Sequence, residues 1–149
     1  MIIHKINKNL LIYLIAILFS SLSLAANKNN NSTFSLQSAT PDKTIPAFVR
    51  KSFEDDNGKP IKSISVHLST KKIPEKLIPN EFLCGSGGCP WVIYSPTLKK
   101  VIGHIDGRNI IILPDSKEGF KSIKGEWRLG EQTDTLLYMF HNGTYEKID

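Results

Sequence analysis

A chain of 149 residues offers one hydrophobic core of ordinary size. Its 19 Lys and Arg against 14 Asp and Glu give a formal net charge of +5. The basic pairs Arg50-Lys51, Lys71-Lys72 and Lys99-Lys100 are scattered among acids. This pattern lacks the clustered basic stripe of nucleic-acid-binding proteins, and it does not favour binding to a lipid surface.

The first 25 residues have the three zones of a secretory signal peptide. Residues 1–9 carry two lysines and no acid, residues 10–19 are apolar, and Ser23-Leu24-Ala25 places small residues where a signal peptidase cleaves. A retained membrane anchor is less favoured, because a spanning helix needs about 20 apolar residues. We expect cleavage near Ala25 and a periplasmic or secreted protein with no stable membrane insertion. Cleavage leaves 17 basic and 14 acidic side chains, a net charge of +3.

The rest of the chain divides into a tether and one domain. Residues 26–43 are rich in Asn, Ser, Thr and Lys, which predicts a segment without fixed structure. Residues 44–149 form the single predicted domain.

A helix is predicted over Thr44–Phe53, with Thr44 as its N-cap, and a half-buried strand over Ile61–Ser69, with His67 on the polar face. Residues 71–80 hold two prolines and predict a connection.

Further strands are predicted from short β-prone runs. These runs are residues 91–94, 100–105, 109–113, 126–129, 135–140 and 144–147. Asp106-Gly107-Arg108 and Asn142-Gly143 each predict a hairpin turn, and Asp115–Lys124 predicts a short helix. The predicted fold class is α+β: a mostly antiparallel sheet of about six short strands with one or two helices and one disulfide.

The two cysteines, Cys84 and Cys89, predict that disulfide. In an exported protein a close, even pair is expected to be oxidised, and the glycines of Gly85-Ser86-Gly87-Gly88 let the backbone bend tightly. A redox pair would normally have a two-residue spacer before a helix. A zinc site would need about four ligands, for which three histidines are the other candidates. We therefore expect no metal, and no cofactor motif is present.

Residues 44–149 resemble a widespread family of small, uncharacterised exported bacterial domains. The resemblance lies in the Cys84–Cys89 motif followed by Pro90-Trp91-Val92-Ile93-Tyr94. An acidic Asn-Gly loop before a strand, over Asp55–Leu68, supports it, as do Gly119-Phe120-Lys121-Ser122-Ile123 and the closing hairpin. Membership of this family implies a fold and a compartment, and it implies no reaction.

The acidic loop raises the question of calcium. In the relatives that this resemblance implies, the loop resembles the Asp-rich turns of calcium-binding propeller repeats. Here Asp55-Asp56-Asn57 does not place oxygens at clean alternate positions, which a calcium loop requires. Calcium binding is left open on these grounds and is not favoured.

We interpret the chain as a non-enzymatic binding protein of the cell envelope with a protein partner there. One form would be an inhibitor or immunity protein against a cell-wall-directed enzyme. A pre-ordered loop loses little entropy on docking, and Trp, Tyr and Arg dominate interface energetics. The candidate binding residues are therefore Ser86, Gly87, Gly88, Trp91, Arg108, Trp127 and Tyr138, although a core role is the favoured alternative for both tryptophans.

Two other interpretations are kept. A structural or accessory envelope protein would share every sequence feature of a binding protein. A small hydrolase would use Ser86 as nucleophile with His104 and Asp106, which face the same side of one strand. Ser86-Gly87-Gly88 does not match a nucleophile elbow, so we assign no catalytic residue. The oligomeric state is not predicted.

Overall fold

The computed structural model describes residues 31–53 and 60–148. The predicted signal peptide, the first residues of the predicted tether and the Asp55-Asp56-Asn57 loop lie outside these residues. Within the described ranges, no helix is both long and apolar enough to cross a membrane.

The described chain is almost entirely β-structure. One short helix, α1 (Ala47–Arg50), and two 3-10 turns, Leu36–Ser38 and Glu81–Leu83, accompany the strands. The strands are β1 (Ser32–Ser35), β2 (Thr40–Pro41), β3 (Lys62–Val66), β4 (Glu75–Pro79), β5 (Cys89–Ser95), β6 (Lys100–Gly107), β7 (Asn109–Lys117), β8 (Phe120–Leu129), β9 (Gln132–His141) and β10 (Thr144–Ile148).

These ten strands form one sheet, curled into a half-barrel, in the order β1-β7-β8-β9-β10-β6-β5-β4-β3-β2. Neighbouring strands are antiparallel except β10 and β6, which meet in parallel where Tyr145 pairs with Gly103. The prediction of an α+β domain with about six strands is therefore wrong. Three strands, β1, β2 and β4, have no predicted counterpart, and β8 begins earlier than predicted. All of these residues lie in segments whose polar, glycine or proline content indicated tether, connection or helix. Their strand conformation comes from pairing with distant neighbours.

Residues 32–41, which we call the N-terminal strap, occupy both edges of this sheet. β1 pairs with β7, from Ser32 opposite Ile112 to Ser35 opposite Asn109, and β2 pairs with β3. Only residues 36–39 separate β1 from β2, so the two edges lie within about 17 Å of each other along the chain. The described part of the predicted tether is thus an ordered component of the sheet, and the prediction of no fixed structure is wrong there.

The curl encloses the main core. Buried apolar side chains from β3 to β10 converge inside it, with Trp91, Ile93 and Ile102 fully buried. A smaller cluster lies on the other face of β4 and β5, where α1 and its flanks pack against Ile78, Val92 and Tyr94. Alternate residues of β4 and β5 therefore serve opposite cores, as expected for a strand covered on both faces.

The helix predicted over Thr44–Phe53 is shorter than expected. Its apolar spacing is partly right, because Ile45, Val49 and Phe53 are buried, whereas Phe48 is about half exposed. The predicted N-cap is wrong: Thr44 donates its amide and hydroxyl to Asp42, and Pro46 precedes the helix. The α-helix itself is therefore a single turn, Ala47–Arg50, and the rest of the predicted span is not α-helical.

The predicted connection over residues 71–80 contains β4. Pro79 pairs with Trp91 of β5 and lies beyond the last residue that pairs with β3. A proline lacks an N–H, so it is tolerated where a strand has no partner on that side. By contrast, the predicted strand over residues 61–69 is present as β3, with His67 exposed.

The predicted hairpin at Asp106-Gly107-Arg108 is a corner. β6 and β7 do not pair, and the chain passes through Arg108 from one side of the half-barrel to the other. Gly107 does not adopt a positive φ. It is needed because a Cβ there would lie 2.9 Å from the Asn109 oxygen and 3.1 Å from the Gly125 Cα.

The helix predicted over Asp115–Lys124 is also wrong. Glu118 and Gly119, with φ of 52° and 79°, form a two-residue turn between β7 and β8. Positive φ at both central residues matches the twist of a tight hairpin. The hairpin predicted at Asn142-Gly143 is confirmed between β9 and β10, with φ of 48° and 85°.

Asp42 ties the N-terminal strap to the sheet. Its carboxylate accepts hydrogen bonds from Ser63 Oγ at 2.6 Å and Thr44 N at 2.8 Å, and it pairs with Lys76 Nζ at 2.9 Å. Burial alone would raise the pKa of Asp42. The hydrogen bonds from Ser63 and Thr44 and the ammonium of Lys76 outweigh burial and hold that pKa well below its ordinary value.

We predict that Asp42→Asn lowers the free energy of unfolding at pH 7 by about 1–3 kcal/mol. Because the pKa of Asp42 is lower in the folded state, its stabilisation is full above the unfolded-state pKa of about 4 and declines below it. The difference between the native protein and the variant therefore shrinks as pH falls below about 4. Urea unfolding from pH 2 to pH 7 measures it, with exposed Glu146→Gln as control. A difference independent of pH would contradict this assignment.

The corner supplies a second prediction, at Gly125 of β8. A Cβ on Gly125 would lie 2.0 Å from the backbone oxygen of Asp106. Gly125→Ala therefore forces β8 away from the corner, and we expect a loss of about 1–3 kcal/mol or more, measured by urea unfolding. Gly85→Ala is the matched control, because a Cβ there meets no atom within 4 Å. Equal stability of the two variants would show that β8 and the corner do not lie this close together in solution.

Candidate functional site

The predicted disulfide is confirmed. Cys84 and Cys89 are joined, and the Gly85–Gly88 segment between them closes as a tight turn. The Gly85 amide donates to the Gly88 oxygen at 2.8 Å, and the Gly88 amide donates to the Gly85 oxygen at 3.2 Å. Residues 84–89, the disulfide loop, thus have both a covalent and a hydrogen-bonded closure, and β5 begins at Cys89.

The disulfide loop packs closely on β8 and on the corner. The Gly87 oxygen accepts a hydrogen bond from the Arg128 amide at 2.9 Å. A Cβ on Gly87 would lie 2.4 Å from Trp127 Nε1, and one on Gly88 would lie 2.5 Å from the Arg108 amide nitrogen. Glycine at both positions therefore allows the loop backbone to contact the neighbouring strands directly.

A groove of about 910 Å³ lies beside this loop. We call it the disulfide groove. Its walls are the disulfide loop, residues 35–37 of the strap, residues 108–109 at the corner, residues 126–128 of β8, residue 131 of the β8–β9 turn and residue 133 of β9. Its volume lies within the range of small-molecule binding sites, roughly 300–1,000 Å³. Four segments that are distant in sequence therefore build one concave surface.

The structure separates the predicted binding residues into two groups. Ser86, Gly88, Arg108 and Trp127 line the disulfide groove, and Gly87 packs directly behind Trp127. The remaining two candidates do not line it.

Trp91 and Tyr138 are core residues. Trp91 is fully buried and donates its Nε1 hydrogen to the Gly107 oxygen at 3.0 Å. The Tyr138 hydroxyl accepts a hydrogen bond from the Asp106 amide at 3.0 Å. Burial raises the pKa of Tyr138 above its ordinary value, so the hydroxyl stays protonated at neutral pH. Both buried side chains therefore stabilise the corner by bonding to its backbone.

Some charged groups of the disulfide groove are already engaged. The Glu126 carboxylate accepts from Asn109 Nδ2 at 3.2 Å and pairs with Lys124 Nζ at 3.3 Å. Arg128 Nε donates to the Gly130 oxygen at 2.9 Å. The groove therefore contains fixed polar groups on the β8 side.

Other polar groups of the groove have no protein partner among the residues that the structure describes. No ion pair or side-chain hydrogen bond there includes the Arg108 guanidinium, the Glu131 carboxylate, or the hydroxyls of Ser86 and Thr133. These groups are one cation, one anion and two hydroxyls. They are the groups that a ligand in the groove would meet first.

The candidate hydrolase residues are not assembled. His104 and Asp106 are exposed on the same side of β6, as their spacing predicts, but neither lines the disulfide groove that contains Ser86. His104 pairs with Val92, whose side chain packs in the cluster around α1. Among residues 31–53 and 60–148, no group of three or more His, Cys, Asp or Glu side chains is placed to hold a metal ion.

Several groove residues were not predicted from the sequence. Gln37 lies in the strap, which composition indicated was unstructured, and no motif that indicates binding surrounds Asn109, Glu126 or Glu131. Gly130, which has a φ of 62° in the β8–β9 turn, is the sequence feature that could have indicated the position of Glu131.

Comparison of the chain with protein-family models, with curated proteins and with solved structures finds no match. The resemblance to exported bacterial domains therefore stays a prediction.

Two glycines of the disulfide loop give a matched test of how this site is built. Gly87→Ala would place a Cβ against Trp127 and the Arg128 oxygen, whereas Gly85→Ala meets no neighbour. We expect Gly87→Ala to lower stability by about 1–3 kcal/mol and to shift the Trp127 indole N–H signal in a ¹⁵N–¹H spectrum. Gly85→Ala is expected to leave that signal in place. The reverse order of effects would show that the loop does not pack on β8.

Proposed function

We propose that this chain is a non-enzymatic, exported binding protein of the cell envelope. Its role would be to antagonise a cell-wall-directed enzyme, as an inhibitor or immunity protein, and the disulfide groove would be its binding surface. The observation that carries this proposal is that Arg108 and Trp127, from separate elements, line one groove beside a covalently closed loop.

The chemistry of these residues supports a binding role. Trp and Arg are the residue types most enriched among those that dominate binding energy. The disulfide loop is fixed by its own hydrogen bonds and by the Gly87–Arg128 contact, so little conformational entropy is lost when a ligand docks. The disulfide agrees with an oxidising compartment outside the cytoplasm. A hydrolytic role has less support, because Ser86 and His104 belong to different surfaces.

The test is an assay of cell-wall digestion. Purified wall sacculi are digested by a glycosidase, an amidase and an endopeptidase that cleave the wall, with and without the purified protein, and turbidity is followed. We expect the protein to slow at least one enzyme. Arg108→Ala and Trp127→Ala are expected to weaken this effect roughly tenfold or more, while Lys72→Ala, an exposed lysine outside the groove, keeps it. Unchanged digestion by all three enzymes would refute the proposal.

A further inference from the structure

The unengaged groups of the disulfide groove restrict the chemistry of its ligand. Arg108 can only donate hydrogen bonds, whereas the Glu131 carboxylate can only accept them. An anion that satisfied Arg108 would be repelled by Glu131, and a cation would be repelled by Arg108 and Arg128, while Glu126 is already paired with Lys124. Because unpaired charges of both signs lie among its described lining residues, the groove favours a ligand without net charge.

That ligand must also both donate and accept hydrogen bonds along its length. A hydroxyl group does both, and the free hydroxyls of Ser86 and Thr133 can meet either role. The amide side chains of Gln37 and Asn109 extend the same mixed character along two other walls. A ligand that carries hydroxyl groups along its length fits this lining better than an acidic peptide or a phosphate would.

Trp127 adds the apolar part of the recognition. Its indole lines the groove and is held in position by its contact with Gly87. An aromatic ring offers a large apolar face with one polar edge. The C–H face of a sugar ring is a matching surface, because its hydroxyls point outward and remain free to bond the charged and amide groups on either side.

We infer that the disulfide groove binds a neutral oligosaccharide, with Trp127 stacked on a sugar ring and Arg108 and Glu131 bonded to its hydroxyls. This inference rests on the proposed function in taking the groove as the binding surface. It adds the class of ligand: in the cell envelope the glycan of the wall has this chemistry, so the protein would antagonise a wall enzyme by covering its substrate.

The two tryptophans make the test specific. Both indole N–H groups are visible in a ¹⁵N–¹H spectrum of the labelled protein, and Trp91 is an internal control because it is buried and bonded to Gly107. The probe is the tetramer of β-1,4-linked N-acetylglucosamine. We expect a saturable shift of the Trp127 signal with no shift of the Trp91 signal.

Variants extend this test to affinity. Calorimetric titration with the same tetramer is expected to show binding weakened roughly tenfold or more by Arg108→Ala and by Trp127→Ala. Trp127→Phe, which keeps an aromatic face, is expected to recover part of the affinity, and Lys72→Ala to leave it unchanged. Thermal unfolding of each variant shows whether the fold is kept. If Trp127→Ala does not fold, Arg108→Ala and Trp127→Phe decide the outcome.

The possible results separate the ligand classes. A shift with the tetramer, or with cellotetraose as a neutral glucan, supports a saccharide site, and the comparison tells whether the acetamido groups matter. No shift with either saccharide overturns the inference, as does a shift produced only by an acidic peptide or by a wall enzyme. In that last case slowed wall digestion would still stand, so the proposed function would survive while the saccharide site would not.

Discussion

The crossing of the β6–β7 corner over β8 is the contact on which the rest of the structure depends. The chain can pass there only because Gly107 and Gly125 have no side chains between the two backbones. Trp91 holds the corner by its bond to the Gly107 oxygen, and Tyr138 holds it by accepting the Asp106 amide. Because three strands separate β6 from β7 in the sheet, this crossing joins two distant parts of the curl.

The same crossing creates the candidate site. It brings Arg108 to the surface directly beside Gly88 of the disulfide loop, while the Gly87–Arg128 hydrogen bond brings the loop to β8 and therefore to Trp127. The groove is thus a by-product of how the core is closed. Arg108, Ser86 and Thr133 line it without any side-chain bond to the described protein, so these side chains serve the groove and not the core below it.

The sequence predicts those parts of the fold that depend on local chemistry. The disulfide, the β3 strand and the Asn142-Gly143 turn follow from residues that are neighbours in the chain. Composition did not predict strands in the strap or at β4, because their strand conformation comes from pairing with partners far along the chain. The hairpin predicted at Gly107 was wrong for another reason. A glycine needed for close packing looks the same in the sequence as a glycine needed for a turn.

The N-terminal strap has a consequence for how the protein folds. Ser32 pairs with Ile112, about 80 residues later in the chain. The first strand can therefore join the sheet only after β7 is available to pair with it. Such long-range pairing has a high contact order and slows folding. A polypeptide of this kind stays open until its C-terminal half is present, and only then can the two edges of the sheet be joined by the strap.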